Sequence, residues 1–502
     1  MGDVVSIFYE AINFFVIMKN NLDARTQYLR GCAQDLFGGG LVGIAETDSY
    51  LRQPDYSSRA AGHYYLILNE EEGVKAAWRT RYLQAEFPEL VLNYLTEREL
   101  ARYPAHGAWQ FRTCPWIHHT DCVGRIIQGT DSDVLEAIRQ AIFGAAHIAR
   151  LYYLRNLPAE THTWGVRQLG WAMRYTEMAI CKLLGLLEEN EYRVQAVAGL
   201  NEDDINWLTH VNEDWRSIER ILLRSVEEFR AAAVRLSGII ECYSAHLASR
   251  YPKTQALVAK APEVPSEEIR AVTEPIMRAL RDVFGNRLLS FYLHGSAARG
   301  DMRPDSDIDT MAIFESVDAE LLERVRYIQH NLDKLTISVY SADNIANYPR
   351  FRRYGLLKGT MHIAGPLGFA QGGTSTDSAY GIVNNAYTIR QVARGYLVAA
   401  SYGHRAYYTL GLMTKLGDHG CLRLLQQLES GSYPKNRAAV VAYFSRDKQA
   451  SALLDHASRL NEEERSLRAQ LLAGRHDSLE LAWYKLNDFA AEIEEKARRY
   501  LT

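Results

Sequence analysis

Residues 294–309 read His-Gly-Ser-Ala-Ala-Arg-Gly-Asp-Met-Arg-Pro-Asp-Ser-Asp-Ile-Asp, and this stretch decides how the chain around it folds. The apolar run at 288–293 leads into it and predicts a buried strand. Gly295 and Ser296 follow that run and predict a turn into a helix, because glycine tolerates backbone conformations closed to other residues. A small polar pair is therefore expected at the end of a buried strand.

Two aspartates stand on the other side of this stretch. Asp307 and Asp309 come just before a second apolar run, 311–314, which predicts another strand. Residues i and i+2 of a strand point to the same face, so the two carboxylates should lie roughly 6–7 Å apart. An Asp-rich surface turn is the plainer interpretation, but the ordered set of strand, Gly-Ser, helix, Asp-x-Asp and strand favours a binding site.

The chemistry of these side chains suits a divalent cation and a polyphosphate. Mg²⁺ prefers oxygen ligands and is commonly held by one or two carboxylates together with phosphate oxygens. Gly295 would let the backbone approach a phosphate, and Ser296 offers a hydroxyl beside the N–H groups of a helix start. Arg299 could add a charge-assisted hydrogen bond to the same anion.

This segment resembles the nucleotidyltransferases of the DNA polymerase β-like superfamily, in particular the minimal and aminoglycoside-modifying types. Their signature of Gly-Ser, Ala-Arg-Gly and Ser-Asp-x-Asp is matched by residues 295–300 and 306–309, and the resemblance covers about residues 275–370. It implies a small mixed sheet with flanking helices that transfers NMP from an NTP, with Mg²⁺ as cofactor. By the same resemblance, the nucleotide would be bound by Gly295, Ser296, Arg299 and Ser306, and the metal and catalysis would depend on Asp307 and Asp309.

Length and composition fit an enzyme of this kind. The 502 residues suffice for about two to four domains, and 47% of them are hydrophobic. A net charge of −4 gives no bulk attraction to nucleic acid, although a local basic groove stays possible. The six irregularly spaced cysteines are interpreted as buried thiols of a reducing compartment, and no long apolar run predicts a membrane span. We expect a soluble, cytoplasmic protein.

The chain also contains an internal repeat. Similar segments recur at a nearly constant separation of roughly 245 residues, which indicates a domain duplication rather than a solenoid. The matched pairs are Asp35–Gly38 with Asp282–Gly285, His63–Glu70 with Ile308–Glu315, Tyr94–Pro104 with Val339–Pro349, and Ala149–Tyr152 with Ala393–Tyr396.

The first copy lacks the residues assigned to the metal. The comparison sets Gly295 against Asp48, Asp307 against Gly62, and Asp309 against Tyr64. The first copy is therefore expected not to hold Mg²⁺ in the family's way. It could act as a scaffold, a pseudo-dimer partner or a substrate-binding half, and a plain structural remnant is the alternative.

We expect an α+β fold with two nucleotidyltransferase-like mixed α/β cores, each followed by a helical segment. The three prolines within 251–266 favour a linker between the halves. The predicted segments are a degenerate core at 1–130, a helical domain at 131–250, the nucleotidyltransferase core at 267–375 and a second helical domain at 376–502.

The motif leaves one gap. Polymerase-like transfer usually needs a third carboxylate on a later strand, to hold a second metal or take the acceptor's proton. At the two places where relatives carry it, this chain has Lys334 and Ser338, and Asp333 should point away. Either one metal suffices, which we favour, or an acid such as Glu89 of the first copy completes a composite site.

The segment Cys114–Cys122 holds two cysteines and two histidines. Zinc can use such ligands, but the usual paired spacing is absent. A histidine-bearing loop is favoured, and a metal site is the alternative.

Together these observations predict transfer of NMP from an NTP, with ATP favoured, to a hydroxyl of a small molecule. A tRNA or a protein is a possible alternative acceptor, and a non-catalytic nucleotide-binding protein is the alternative outside enzymes. The oligomeric state could be a monomeric pseudo-dimer or a homo-oligomer.

Overall fold

In the computed structural model the chain forms two compact units. The first comprises Met1–Gln128, Ile389–Gly411 and Glu463–Asp488, and the second comprises Gly129–Thr388, Leu412–Glu462 and Phe489–Thr502. Among the described residues, no helix is long and apolar enough to cross a membrane. The structure describes residues 22–47, 63–70, 73–88, 90–103, 111, 116–119, 130–155, 159–184, 187, 200–299, 307–332, 335–370, 374–399, 405–434, 436–448, 450–456, 459, 466–467, 470 and 477–501.

A four-stranded mixed sheet forms the core of the first unit. Its strand order is β3-β2-β1-β4, with β2 and β3 parallel and the other pairs antiparallel. All residues of β2 and β3 are buried, as expected for strands covered on both faces. The elements are α1 (Leu22–Phe37), β1 (Leu41–Thr47), β2 (His63–Leu68), α2 (Gly73–Glu86), β3 (Val91–Thr96), α3 (Glu97–Ala101) and β4 (Trp116–His119).

Long helices open the second unit. A capping box between Thr130 and Asp133 begins the first of them, and the Ser225 side chain caps the last. A π-helical turn, Ala179–Leu183, follows the second helix. The helices are α4 (Asp131–Leu154), α5 (Ala159–Met178), α6 (Glu202–Glu213), α7 (Trp215–Arg224) and α8 (Val226–Arg250).

The second mixed sheet has the order β8-β7-β6-β9, with β7 and β8 parallel and the other pairs antiparallel. A two-stranded ribbon of β5 and β10 accompanies it. The elements are β5 (Leu257–Ala259), α9 (Glu267–Phe284), β6 (Leu288–Leu293), α10 (Gly295–Arg299), β7 (Ile308–Phe314), α11 (Ala319–Asn331), β8 (Leu335–Ser341), α12 (Ala342–Ala346), α13 (Arg350–Gly359), β9 (Met361–Ala364) and β10 (Leu367–Phe369).

The elements described after β10 are helices. A π-helical turn, Asp418–Leu422, again follows one of these helices. They are α14 (Ser375–Val398), α15 (Arg405–Gly417), α16 (Arg423–Ser430), α17 (Arg437–Phe444) and α18 (Asp477–Arg498).

The expected strands on both sides of the Gly-Ser turn are confirmed as β6 and β7, and the turn opens the short helix α10. The structure contains helices and two mixed sheets in separate regions, in line with a mixed α+β fold. Two details were predicted wrongly. The presumed linker contributes β5, and residues 116–119 form an edge strand rather than a loop.

The compact units do not follow the four predicted segments, because helix α4 packs against the second sheet. Its Phe143 belongs to a buried cluster with Tyr292, Met311 and Tyr340. Phe143 stacks on Tyr340 with ring centroids 4.7 Å apart. The division into four segments therefore stays a prediction. In the structure, residues 131–250 pack with the second core in one unit.

In the described part of the chain, Cys32, Cys242 and Cys421 are free thiols. Cys421 is buried, whereas Cys242 is exposed, so the expectation of buried thiols is wrong for Cys242.

Candidate active site

The turn between β6 and α10 lies directly against Asp309. Gly295 has a φ of +71°, and a Cβ atom there would lie 2.4 Å from Asp309 Oδ2. The backbone N–H of His294 donates a hydrogen bond of 2.9 Å to the carbonyl oxygen of Asp309. The positive φ therefore favours glycine at position 295, and a side chain there would require Asp309 to move.

Asp307 and Asp309 are on the same face at the beginning of β7. Asp307 directly precedes the strand and is exposed, and Asp309 is its second residue and is half-buried. Both carboxylates thus lie at the start of an inner strand, and that of Asp309 lies beside the Gly295 turn. A donor set of carboxylate oxygens next to a close backbone approach fits Mg²⁺ and a phosphate.

The other predicted nucleotide ligands are placed only in part. Ser296 is half-buried in α10, next to Gly295. Arg299 ends α10, but its side chain is outside the described part of the structure. Ser306 also lies outside the described residues.

The strand register identifies the neighbour of Asp309 on β8. Asp309 pairs with Thr336, and Met311 pairs with Ser338. Thr336 is therefore the residue beside Asp309 on the same face, and it is neutral. Neither position considered from the sequence fills this place: Ser338 lies two residues further along β8, and Lys334 is outside the described residues.

The described residues accordingly supply two carboxylates and no third one on β8. Within the described ranges, no group of three or more His, Cys, Asp or Glu side chains could hold a metal ion. Asp333 and Glu89, the other acids considered, lie outside the described residues.

A histidine missed in the sequence analysis lies over the same face of the sheet. Alternate residues carry this face along each strand, so Tyr340 shares it with Thr336 and hence with Asp309. His147 of α4 is hydrogen-bonded through Nδ1 to the Tyr340 hydroxyl at 2.9 Å. Its position four residues after Phe143 marks a common helix face, but the sequence could not tell which sheet that face would cover.

Burial lowers the pKa of His147 to about 4, and the positive charges of Arg352, His294, Arg155 and Arg150 act in the same direction. The side chain is therefore neutral at physiological pH and can accept a hydrogen bond or a proton.

A buried arginine fixes α4 to the end of β8. The Arg150 guanidinium donates to the carbonyl oxygen of Val339 at 3.0 Å and to the Ser237 hydroxyl at 2.9 Å. It also donates to Asn344 and forms an ion pair with Glu241. These four partners fix which residues of α4 face β8.

The first unit contains a matching arrangement. Arg394 donates to the carbonyl oxygen of Tyr94 at 3.3 Å and pairs with Glu99, and it also bonds Asn487. Burial alone would raise the pKa of Glu99, but Arg394 and Arg390 lower it to about 2. An arginine thus contacts the carbonyl oxygen of a residue two positions before the last residue of β3, as another does in β8.

The strand pairing corrects the alignment of the two halves at the metal position. His63 pairs with Val91 in the first sheet, as Asp309 pairs with Thr336 in the second. The match of Asp309 with Tyr64 is therefore wrong by one residue. Such a slip moves a side chain to the opposite face of a sheet, and the corrected counterpart, His63, is again not an acid.

Comparison with known families supports the resemblance of the segment around Gly295 to nucleotidyltransferases. Residues 276–350 match the family model of the nucleotidyltransferase domain. The match contains the Gly295 turn, both aspartates and all of β8. No curated protein matches the chain.

Proposed function

We propose that the second core transfers NMP from an NTP, with ATP favoured, to a hydroxyl of a small molecule and releases pyrophosphate. The observation that carries this proposal is the close approach of Gly295 to Asp309, where any Cβ atom would meet Oδ2 at 2.4 Å. A glycine turn with a positive φ, placed against a carboxylate at the start of an inner strand, suits a phosphate chain bound beside a cation.

Each residue then has a role. Asp307 and Asp309 would hold Mg²⁺, which would neutralise charge on the triphosphate when bound. The backbone at Gly295 and the hydroxyl of Ser296 would bind phosphate oxygens and keep the α-phosphorus in line with the attacking hydroxyl. For Arg299 and Ser306, the contribution to nucleotide binding rests on the family resemblance.

We further propose that the first core is a duplicated copy that does not catalyse transfer. Both sheets have the same strand order and directions. Gln84 in the first core and Gln329 in the second each accept a hydrogen bond from the backbone N–H of the adjacent strand, at Leu92 and Ile337 respectively. Shared details of this kind support a common origin, and the absence of an acid at His63 supports a non-catalytic role.

A nucleotide-binding protein without catalysis is the second candidate. It is favoured by the neutral Thr336 beside Asp309, because transfer in this superfamily usually uses a third carboxylate. Transfer to tRNA or to a protein differs from the main proposal only in the acceptor.

A panel of NTPs labelled at the α-phosphorus separates these candidates. The protein is incubated with each NTP and Mg²⁺, together with the small-molecule, RNA or protein fraction of a cell extract. Label in small molecules supports the main proposal, and label in RNA or protein identifies the alternative acceptor. Nucleotide binding without any transfer would support the non-catalytic candidate.

A further inference from the structure

Two neighbouring helices of the first unit carry regular stripes of exposed residues. In α2, exposed residues recur at spacings of three and four, so they lie on one face of the helix. The part of α18 that belongs to the same unit shows the same pattern. The α2 stripe consists of Lys75, Trp78, Tyr82 and Ala85, and the α18 stripe consists of Asp477, Leu481, Tyr484 and Asp488.

The other faces of the two helices are buried and hold the stripes on the outside of the unit. On α2, the buried face includes Gln84, which is hydrogen-bonded to the adjacent strand β3. On α18, Trp483 is fully buried and stacks on Tyr396 with ring centroids 4.5 Å apart. An ion pair of 3.1 Å between Arg81 and Glu480 joins the two helices. The two stripes therefore lie side by side and form one surface, the α2–α18 face.

The centre of the α2–α18 face is apolar. Trp78 is 69% exposed, Tyr82 57%, Leu481 54% and Tyr484 40%. Among the residues that the structure describes, Trp78 is the only exposed tryptophan. A large apolar side chain has about 150–250 Å² of surface, so these four together expose on the order of 400 Å². An apolar patch of this size on a folded protein commonly marks an interaction site.

The second core does not carry this stripe. Gln84 of α2 and Gln329 of α11 make the same strand contact, so positions counted back from them are equivalent. At the position equivalent to Trp78 the second core has Glu323, which accepts a hydrogen bond of 2.7 Å from Tyr153 and pairs with an arginine of its own helix. The shared fold thus does not require a tryptophan at this place, and a binding partner explains its exposure.

The two stripes carry opposite charges. Lys75 begins the α2 stripe, whereas Asp477 and Asp488 begin and end the α18 stripe. A surface that binds itself about a two-fold axis must be self-complementary. If α2 of one copy packs on α18 of another, Lys75 faces one of the two aspartates whichever way the helices run. An anionic membrane would instead repel both aspartates.

We propose that the α2–α18 face binds the same face of a second copy of the chain, so that the protein is a homodimer through its first core. Each copy would place Trp78 and Tyr82 against Leu481 and Tyr484 of the other, with charged residues at the rim. A typical interface buries about 800 Å² per partner, so these four side chains would supply roughly half of it. Assembly needs neither nucleotide nor Mg²⁺, and the proposal is therefore independent of the proposed function.

Sedimentation velocity of the full-length chain over a concentration series measures this assembly. At roughly 10 μM the wild type should have twice the 57.0 kDa mass of one chain. Trp78→Glu introduces the residue type that the second core has at this place, and it should raise the dimer Kd by at least about 30-fold.

A pair of equivalent tyrosines supplies the matched control. Tyr82 and Tyr327 both stand two residues before the glutamines that bond the adjacent strand, and both are exposed. Tyr82→Ser should raise the dimer Kd by about tenfold, because a tyrosine is lost from the centre of the interface. Tyr327→Ser should leave the Kd unchanged.

A charge exchange tests whether the partner is a second copy. One chain carries Lys75→Glu, and the other carries Asp477→Lys together with Asp488→Lys. Each chain alone places like charges together, so each should dimerise at least about tenfold more weakly than the wild type. An equal mixture restores opposite charges at both helix contacts and should form a dimer with one chain of each kind.

The remaining outcomes overturn the proposal. A wild type that keeps the mass of one chain up to roughly 100 μM does so, including one that binds phosphatidylserine vesicles as a monomer. A dimer that Trp78→Glu and Tyr82→Ser leave intact, or that Tyr327→Ser weakens as much as Tyr82→Ser, uses a different surface. Absence of the mixed dimer contradicts the pairing of α2 with α18. If Trp78→Glu does not fold, Leu481→Lys replaces it and should raise the Kd to the same extent, whereas an unchanged Kd would refute the interface.

Discussion

In the first sheet His63 pairs with Val91, and in the second Asp309 pairs with Thr336 at the corresponding place. The strands around these residues have the same order and directions. In both sheets a buried arginine donates a hydrogen bond to a backbone carbonyl near the end of the outer parallel strand, β3 or β8. The sheets therefore agree in the contacts that hold them together and differ where a cation and a phosphate would bind.

This difference separates the residues that hold the fold together from those assigned to the proposed site. Buried backbone groups must be hydrogen-bonded in either sheet, so Gln84 and Gln329 retain the same contact. The first sheet has the same strand order with His63, which is not an acid, at the place of Asp309.

The largest effect is expected at the carboxylates. Asp307→Asn and Asp309→Asn should each lower transfer by at least about 10²-fold, because each removes charge at the metal and phosphate site. The free energy of unfolding should change little, since Asp307 is exposed and Asp309 is half-buried. His63→Asn in the first sheet is the matched control and should transfer label at the wild-type rate per folded molecule.

Glycine substitutions should separate strain from a clash at the site. Gly295→Ala combines a φ of +71° with a Cβ contact of 2.4 Å to Asp309, so both nucleotide binding and transfer should fall sharply. Gly285→Ala has a similar φ of +50° but open space around its Cβ position. It should cost only about 1–2 kcal/mol of stability and leave transfer intact. Equal loss of transfer in both variants would contradict the close approach as the functional feature.

The arginines should matter comparably for stability in the two units. Arg150→Met removes the arginine from the partly buried Glu241, which keeps hydrogen bonds from Ser341 and Val317. Arg394→Met removes one of two arginines from Glu99. Loss of one partner of a buried pair costs about 3–5 kcal/mol, and the remaining Arg390 should hold the cost of Arg394→Met near the lower value. Chemical denaturation measures both costs. A change below about 1 kcal/mol in both variants would mean that these ion pairs do not fix the helices.

Acid should weaken the first unit through Glu99. Its pKa in the folded chain is about 2, below the ordinary value of 4.5, so its stabilising effect is present above pH 4.5 and is lost as the pH falls towards 2. Glu99→Gln should lower the free energy of unfolding by roughly 2–3 kcal/mol at pH 7 and by progressively less below pH 4.5. The counterpart in the second unit, Asn344, is neutral and should show no such dependence in Asn344→Ala. A constant difference across this pH range would refute the ion-pair account of Glu99.

The local sequence was sufficient to predict the strand, turn and strand around Gly295, because apolar runs and a glycine depend mainly on nearby structure. It could not reveal that α4 covers the second sheet, since an amphipathic helix does not encode which surface it meets. The alignment of Asp309 with Tyr64 instead of His63 also arose because the sequence lacks information on long-range contacts. A sequence alignment does not specify the register of a strand, because the register depends on pairing with neighbouring strands in the sheet. The contact of His147 with Tyr340 could not be predicted, because the two residues are nearly two hundred positions apart in the sequence.

The number of nucleotides bound per chain tests the central claim most directly. Calorimetric titration of the full-length protein with a non-hydrolysable ATP analogue and Mg²⁺ should give one site per chain. That site should disappear in the Asp307→Asn, Asp309→Asn double variant and persist in His63→Asn. Two sites per chain, or one site that survives loss of both aspartates, would contradict the assignment of nucleotide binding to the second core alone.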